Sequence, residues 1–302
     1  MLKFVLEGLD KLRHYGYLAT IDFPKAFDRV KHFTVISKLI HLGVRRSIIP
    51  IICSFLTQRT QCTILGGHIS PPLTVSCGVP QGTKLGPILF LALVNDAASD
   101  SLRRWKYVAN LTLGEVIAKN QSPVLQNHLD SISDWCRSND VLPKPPKCNV
   151  MSLSFLRQMV PQTNFTPNGV HLNVVTHFRL LGIVIQSDLK WGLHVSEIVS
   201  KASRRLYTLC ILKRSGVPIQ DMVTVYKTYI RPILEYASPV WHTTITQSQS
   251  KTIEFVQKRA VQIMLGKKYN YDEALCLINL PSLLERRTAP NSWNKTPKFH
   301  PS

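Results

Sequence analysis

The chain has 302 residues, 44% of them hydrophobic, and carries 37 Lys and Arg against 18 Asp and Glu, a net charge of +19. That length and apolar content suffice for one large domain or two ordinary ones with a sizeable core. The charge says little about fold but points to polyanionic partners, nucleic acid or an anionic membrane face, over neutral or cationic ones.

The opening "MLKFVLEGLDKL" has acids inside its apolar pattern and does not read as a signal peptide. "YGYLATIDF" (15–23) is a short apolar run ending in a carboxylate, the pattern of a buried strand. Residues 28–42 have helical spacing in Val30, Phe33, Ile36 and Ile40, with Gly43 as the stop, and Ile48 to Phe55 continues as a second helix. "QCTILGGHISPPLTVSCGVPQG" (61–82) predicts a hairpin turning at Gly66-Gly67, then a Gly- and Pro-rich loop. Leu85 to Asp96 is apolar and helical, with Pro87 in its first turn. "KYVANLTLGE" (106–115) predicts a second hairpin, Pro123 to Cys136 a helix, and "VMSLSF" (150–155) and "LLGIVI" (180–185) one strand each.

After Trp191 the texture changes to helix only. Val195, Ile198, Val199, Ala202, Leu206 and Leu209 form one apolar stripe. Met222 to Ala237 forms another, kinked at Pro232. Ile253, Val256, Ala260, Ile263 and Met264 form a third, opened by the capping-box spacing Thr246-x-x-Gln249. The tail from Thr288 is rich in Pro, Asn and Lys and is expected to be disordered. Strands and helices mix irregularly before this change, so the fold class is α+β rather than a doubly wound sheet.

No run of eighteen apolar residues occurs, so no membrane-spanning helix is expected. The seven cysteines contain no CxxC pair, which argues against a zinc site or a disulfide framework. A reduced intracellular setting follows, nuclear or cytoplasmic, not secreted. The sequons at Asn110, Asn120, Asn164 and Asn294 are then chance matches.

Two stretches suggest chemistry. Asp22 ends a buried strand and is followed by "FPKAFD", a setting that suits a metal ligand. "GVPQGTKLGPILF" (78–90) surrounds Gln81 with Gly78, Pro80 and Gly82, and glycines let backbone approach a ligand closely. In order along the chain, "ATIDFPKAFDRVKH", "GVPQGTKLGPILF", "KYVANLTL", "PPKCNVM" and "FRLLGIVIQSDLKW" resemble motifs A to E of reverse transcriptases from non-LTR retrotransposons of the jockey and LINE type. "IRPILEYASPVWH" (230–242) and "VQKRAVQIM" (256–264) resemble the stretch that follows those motifs, so the resemblance covers about residues 15–287.

The resemblance implies a right-hand polymerase palm over residues 1–175, with an antiparallel sheet and helices. Motif E and a helical, thumb-like region follow over 176–287, then the disordered tail over 288–302. The fingers, which in the family precede motif A, are expected to be missing. The family transfers nucleotides onto a DNA primer along an RNA template, with Mg²⁺ held by one Asp of motif A and two adjacent Asp of motif C. Motif A keeps Asp22, while the paired acids of motif C fall on Ala109 and Asn110. The site thus drops from three carboxylates to one, and losing part of a coupled catalytic unit costs roughly four to six powers of ten in rate. Mg²⁺ binding is therefore expected to be impaired.

The resemblance further matches Phe27 to the aromatic under the incoming sugar, Gln81 and Gly82 to nucleotide and template contacts, and Lys147 to a lysine assisting the leaving pyrophosphate. The chain departs from the family at Pro143-Lys144, where the family often has Leu-Asn. Arg204, Arg205, Lys258 and Arg259 fall off the apolar stripes and are candidates for nucleic-acid contact. Three functional readings follow: an inactive polymerase that still binds nucleic acid, an active reverse transcriptase needing a partner, and a decayed element product with no selected function.

Overall fold

The structure, a computed structural model, describes every residue except 12, 24, 26, 102, 142–146, 157–163, 170 and 290–302. The chain divides into two compact units, Met1–Thr176 and His177–Ser302.

The first unit is organised by one strand. It opens with α1 (Leu2–Leu9) and β1 (His14–Asp22). Then follow α2 (His32–His41), α3 (Ile49–Leu56) and the short strands β2 (Thr60–Gln61), β3 (Ile64–Leu65), β4 (His68–Ile69) and β5 (Leu73–Thr74). After α4 (Leu85–Val94) come β6 (Arg104–Tyr107), β7 (Asn110–Ala118), α5 (Leu125–Ser138), β8 (Asn149–Ser154) and β9 (Asn173–Val174). The main sheet has the order β6-β7-β1-β8-β9. β1 is its centre, antiparallel to β7 from His14↔Ala118 to Asp22↔Asn110 and to β8 from Tyr15↔Ser154 to Thr20↔Asn149. A strand covered on both faces reads as a continuous apolar run rather than an alternation. That is why "YLA" lies buried without interruption in β1. β9 joins β8 in parallel, the one departure from an otherwise antiparallel sheet.

On one side of the sheet the core is built from Tyr17, Ile21, Phe23, Leu89, Phe90, Leu113 and Leu129; Leu18, Met151 and Leu153 are buried outside that cluster. Gly66-Gly67 makes the predicted two-residue turn between β3 and β4, with both glycines at positive φ. Glu115 of β7 accepts hydrogen bonds from Val124 N (2.8 Å) and Leu125 N (3.0 Å), capping α5 where Pro123 supplies no N–H.

One helix differs from the sequence-based expectation. It begins at His32, not residue 28, because Phe27 O and Val30 O accept from Val79 N and Gly78 N instead of entering helix. Its buried residues are Val35 and Leu39, while Phe33 is 84% exposed and Ile40 52%.

The second unit starts with β10 (His177–Leu180) and β11 (Ile183–Gln186). "LLGIVI" is thus a hairpin and not one strand: Leu181 and Gly182 take φ of 48° and 83° at the turn. Tyr236 donates its hydroxyl to Leu181 O (2.9 Å), fixing that corner. Only helices follow: α6 (Gly192–Arg214), α7 (Ile219–Val225), a π-turn at Tyr226–Ile230, α8 (Arg231–Glu235), α9 (Ser238–Trp241), α10 (Gln247–Leu265), α11 (Tyr271–Leu277) and α12 (Leu283–Thr288). Pro232 lies in the first turn of α8, and the π-turn just before it is the expected kink. The Thr246–Gln249 capping box forms in full. α12 runs through Thr288, so the tail expected from that residue starts later, and from 290 it lies outside the described residues. Among the described residues no helix is long and apolar enough to cross a membrane.

Three polar side chains are buried in this unit among the described residues: Gln257, His194 and Arg287, the last donating to Ser250 Oγ (2.9 Å). Gln257, fully buried, accepts from Tyr226 Oη (2.6 Å) and donates to Tyr271 Oη (3.1 Å) and Pro281 O (3.0 Å). His194 is buried between the edges of Trp191 and Trp241. Its Nδ1 accepts from Val184 N (3.4 Å), and its Nε2 has no partner among the described residues. Burial lowers its pKa; Glu197 pulls the other way, while Arg179 and Lys201 add to the lowering. A histidine whose folded value is depressed stabilises fully above its ordinary value of about 6.5 and loses that contribution as pH falls through the folded value. The second unit should therefore melt at lower temperature as pH drops from 7 towards 5, followed by Trp191 and Trp241 fluorescence. His194→Phe should flatten that dependence; an unchanged profile would mean that His194 is not the titrating group.

Candidate polymerase site

Asp22 is the last residue of β1, and its cross-strand partner is Asn110, the first residue of β7. The β6–β7 turn consists of Val108 and Ala109, closed by the pair Tyr107↔Asn110. Phe23 N donates to Ala109 O (3.2 Å), so the turn is bonded to the chain leaving β1. Val108 has φ of 51°, a costly conformation for a β-branched residue, on the order of 1–2 kcal/mol. Such strain persists only where surrounding structure overdetermines it, and here a hydrogen bond and two paired strands do so. The sheet register therefore puts motif A and motif C side by side.

The fourth participant comes from the segment before β8. Lys147 Nζ lies 3.4 Å from Asp22 Oδ2, with side chains 60% and 25% exposed. An ion pair that open is worth about 0–1 kcal/mol in stability, but it decides the charge of the site. Among the described residues here Asp22 supplies the one carboxylate, Lys147 offsets it, Asn110 is neutral and Ala109 offers no donor atom in its side chain. Cys148 lies buried against the Asp22 backbone, and burial raises its thiol pKa. Burial likewise pushes Cys136 up to about 12, with Cys148 adding to the rise. Both thiols stay protonated and supply no anionic ligand.

Two magnesium ions need several hard, anionic oxygens. The residues here do not fit that requirement, and among the described residues no group of three His, Cys, Asp or Glu could hold a metal.

The motif B loop is tied to the chain after β1. Besides the Gly78 and Val79 bonds, His32 Nε2 lies 2.9 Å from Gly78 O, and Gln81 Nε2 donates to Asp28 Oδ1 (2.8 Å). Gln81, expected to contact a nucleotide, thus holds a partner of its own. Phe27 is half-buried, its ring 4.8 Å from that of Phe90. Gly82 is exposed with φ of 80°. Thr83 Oγ1 accepts from Gly86 N (3.1 Å) and so starts α4.

Behind the turn, Lys38 pairs with Asp96 (2.5 Å), Trp135 Nε1 donates to Asp96 Oδ1 (2.9 Å), and the Trp135 ring meets Phe23. Burial alone would raise the Asp96 pKa; hydrogen bonds from Lys38 and Trp135 outweigh it and hold the group low. Sequence reasoning singled out neither this cluster nor the Asp28–Gln81 link. Asp28 stood inside the quoted motif A, but its partner is 53 residues on and no local period announces it.

Of the basic residues proposed for nucleic acid, Arg204, Lys258 and Arg259 are exposed. Arg205 is half-buried and engaged: it donates to Tyr229 O (2.8 Å) and its guanidinium lies 4.1 Å from the Tyr229 ring centre.

Gly78 gives the geometry a direct test. A Cβ there would come within 2.8 Å of Asp28 O, at a φ of 86°. At Gly82 φ is 80° but nothing lies within 4 Å. Gly78→Ala should cost about 2–4 kcal/mol in urea denaturation and Gly82→Ala about 1–2 kcal/mol. Equal costs would mean that the loop does not pack on Asp28 as described.

Residues 2–185 match the family described as "Reverse transcriptase (RNA-dependent DNA polymerase)". Among curated relatives, the "RNA-directed DNA polymerase from mobile element jockey" of Drosophila funebris is 24% identical over 259 residues, covering 80% of this chain and 27% of the relative. The protein of that name from Drosophila melanogaster is 23% identical over 279 residues, covering 88% and 30%. The chain thus spans less than a third of the length of these relatives. A telomerase structure from Candida albicans, in complex with a fragment of telomeric RNA, aligns with 93% of this chain and 54% of its own at 11% identity and a TM-score of 0.49, too distant to assign a role to any residue. The family match over more than half of the chain means that it belongs to the reverse transcriptase family, with its similarity to the jockey polymerases placing it with the non-LTR retrotransposon members.

Proposed function

We propose that this chain binds nucleic acid as its family does but does not transfer nucleotides. On this reading Met1–Thr176 is a polymerase palm and the helices after β11 are a thumb. The observation that carries the proposal is the pair opposite Asp22: where the family has two carboxylates the chain has Ala109 and Asn110, and Lys147 sits on the one acid that remains. An Asn carbonyl can contribute an oxygen but no charge. RNA template and DNA primer remain the expected class of partner, held through phosphates by a basic surface.

The catalytic half has a direct test. The purified chain should show no primer extension on an RNA template with Mg²⁺ or Mn²⁺; extension abolished by Asp22→Ala would overturn the proposal. Installing Ala109→Asp with Asn110→Asp should tighten Mn²⁺ binding, read by paramagnetic resonance, by at least tenfold. If the double variant keeps its circular dichroism and binds Mn²⁺ no better, the assignment of these two positions to the family's acids is wrong.

The binding half rests on charge. Residues 201–287 hold 14 basic and 6 acidic side chains, a net +8. Phosphate contacts release counterions, at about 0.9 per phosphate on duplex DNA, so log affinity should fall with log salt at a slope of roughly −4 to −7. A slope near zero would refute binding through phosphates. Reversing Arg204, Arg205, Lys258 and Arg259 to Glu together should abolish binding; because Arg205 also holds Tyr229, the triple variant sparing it is the cleaner measurement.

A further inference from the structure

We propose that the outward face of α10 is a stacking platform for an unpaired base of single-stranded nucleic acid, with Phe255 as the platform and Lys251 and Lys258 on the flanking phosphates. The proposal deepens the nucleic-acid reading above and rests on it.

α10 buries Ile253, Val256, Gln257, Ala260, Val261 and Met264. At 3.6 residues per turn these occupy one side of the helix, and Lys251, Phe255, Lys258 and Gln262 occupy the opposite side. Phe255 is therefore not a core residue displaced by a turn; it stands at the meridian farthest from the core and is 58% exposed. Gln247, Ser248, Lys251 and Thr252 frame an open depression of about 550 Å³ beside it. Lys251 lies about 6 Å along the axis on one side of the ring and Lys258 about 4.5 Å on the other, at 1.5 Å per residue.

The electrostatics single out a polyanion. The one acid of α10, Glu254, is turned away and used: it accepts from Tyr271 Oη (2.6 Å), Leu283 N (3.1 Å) and Leu284 N (3.1 Å). Four other cations of this unit are neutralised locally, Arg179 and Lys201 by Glu197, and Arg231 and Arg286 by Glu235. Among the described residues no acid pairs with Lys251, Lys258 or Arg259. An exposed aromatic ring between unpaired cations matches a ligand that alternates flat bases with phosphates. A duplex hides its base faces and offers only the phosphates.

The experiment uses the full chain, with fluorescence anisotropy of a labelled single-stranded RNA, an abasic strand of equal length and a duplex. The parent should bind the single strand more tightly than the abasic one. Phe255→Leu should weaken single-strand binding on the order of tenfold while leaving abasic and duplex binding unchanged, since stacking is worth about 1–3 kcal/mol per base. Phe255→Trp should restore affinity, and its emission should be quenched on binding. If the parent binds all three ligands and Phe255→Leu changes none of them, this proposal falls and the phosphate reading stands. If the parent binds no nucleic acid at low salt, both fall. Binding to an acidic polypeptide alone would assign the face to a protein and overturn the proposal.

Discussion

Everything at the candidate site depends on the pairing of β1 with β7. The register Asp22↔Asn110 brings together the end of the central strand and the start of a hairpin, although 88 residues of chain separate them. In a sheet a slip of one residue turns every side chain to the opposite face. The two faces of β1 are packed differently, with Tyr17, Ala19 and Ile21 in the main core cluster and Leu18 buried outside it, so a slip would misfit both. The hairpin turn is then fixed by bonding to Phe23, and Val108 accepts a strained backbone as a consequence. The fold thus sets Asp22 at the end of β1 directly beside two residues, Ala109 and Asn110, that carry no charge.

This arrangement has an energetic logic. The positions that hold β1 in place are apolar and buried, and each substitution there costs a cavity or a clash. Asn110 is exposed at the start of β7, where stability depends little on which polar residue is present, while Ala109 in the turn packs partly on the core. Three carboxylates at close range repel one another, and without bound metal such an arrangement costs stability. A single acid at this place, with Lys147 against it, carries no such repulsion. The sheet therefore does not need further carboxylates there to hold its register.

Much of this was legible in the sequence because its signals were local. Apolar runs gave β1 and α4, Gly66-Gly67 gave its turn, the Thr246 capping box gave the start of α10, and Pro232 gave the kink. The motif order brought Asp22 and Asn110 under one heading before any register was known. What failed was nonlocal. The helix expected from residue 28 begins at His32 because Phe27 and Val30 bond to Gly78 and Val79, about 50 residues away. Phe33 and Ile40 satisfied a helical period but face outward, because period alone does not say which side a neighbour covers. "LLGIVI" read as one strand because Leu181 disguises a turn that a single glycine completes. The Lys147–Asp22 pair and the Asp28–Gln81 bond join side chains with no common period.

The two units commit some of their charges differently. In the first, three cations are engaged locally: Lys38 and Lys106 donate to carbonyls at the end of α4, and Lys147 leans on Asp22. Burial lowers the Lys106 pKa, so part of that unit's nominal charge sits where an extended strand cannot reach. In the second, Glu197, Glu235 and Glu254 are absorbed by local pairs and helix starts, leaving the outward cations of α10 uncompensated. A surface becomes attractive to phosphate less by gaining lysines than by committing its acids elsewhere. On the nucleic-acid proposal, the outward face of α10 is where an extended strand would meet cations that no acid of the helix offsets.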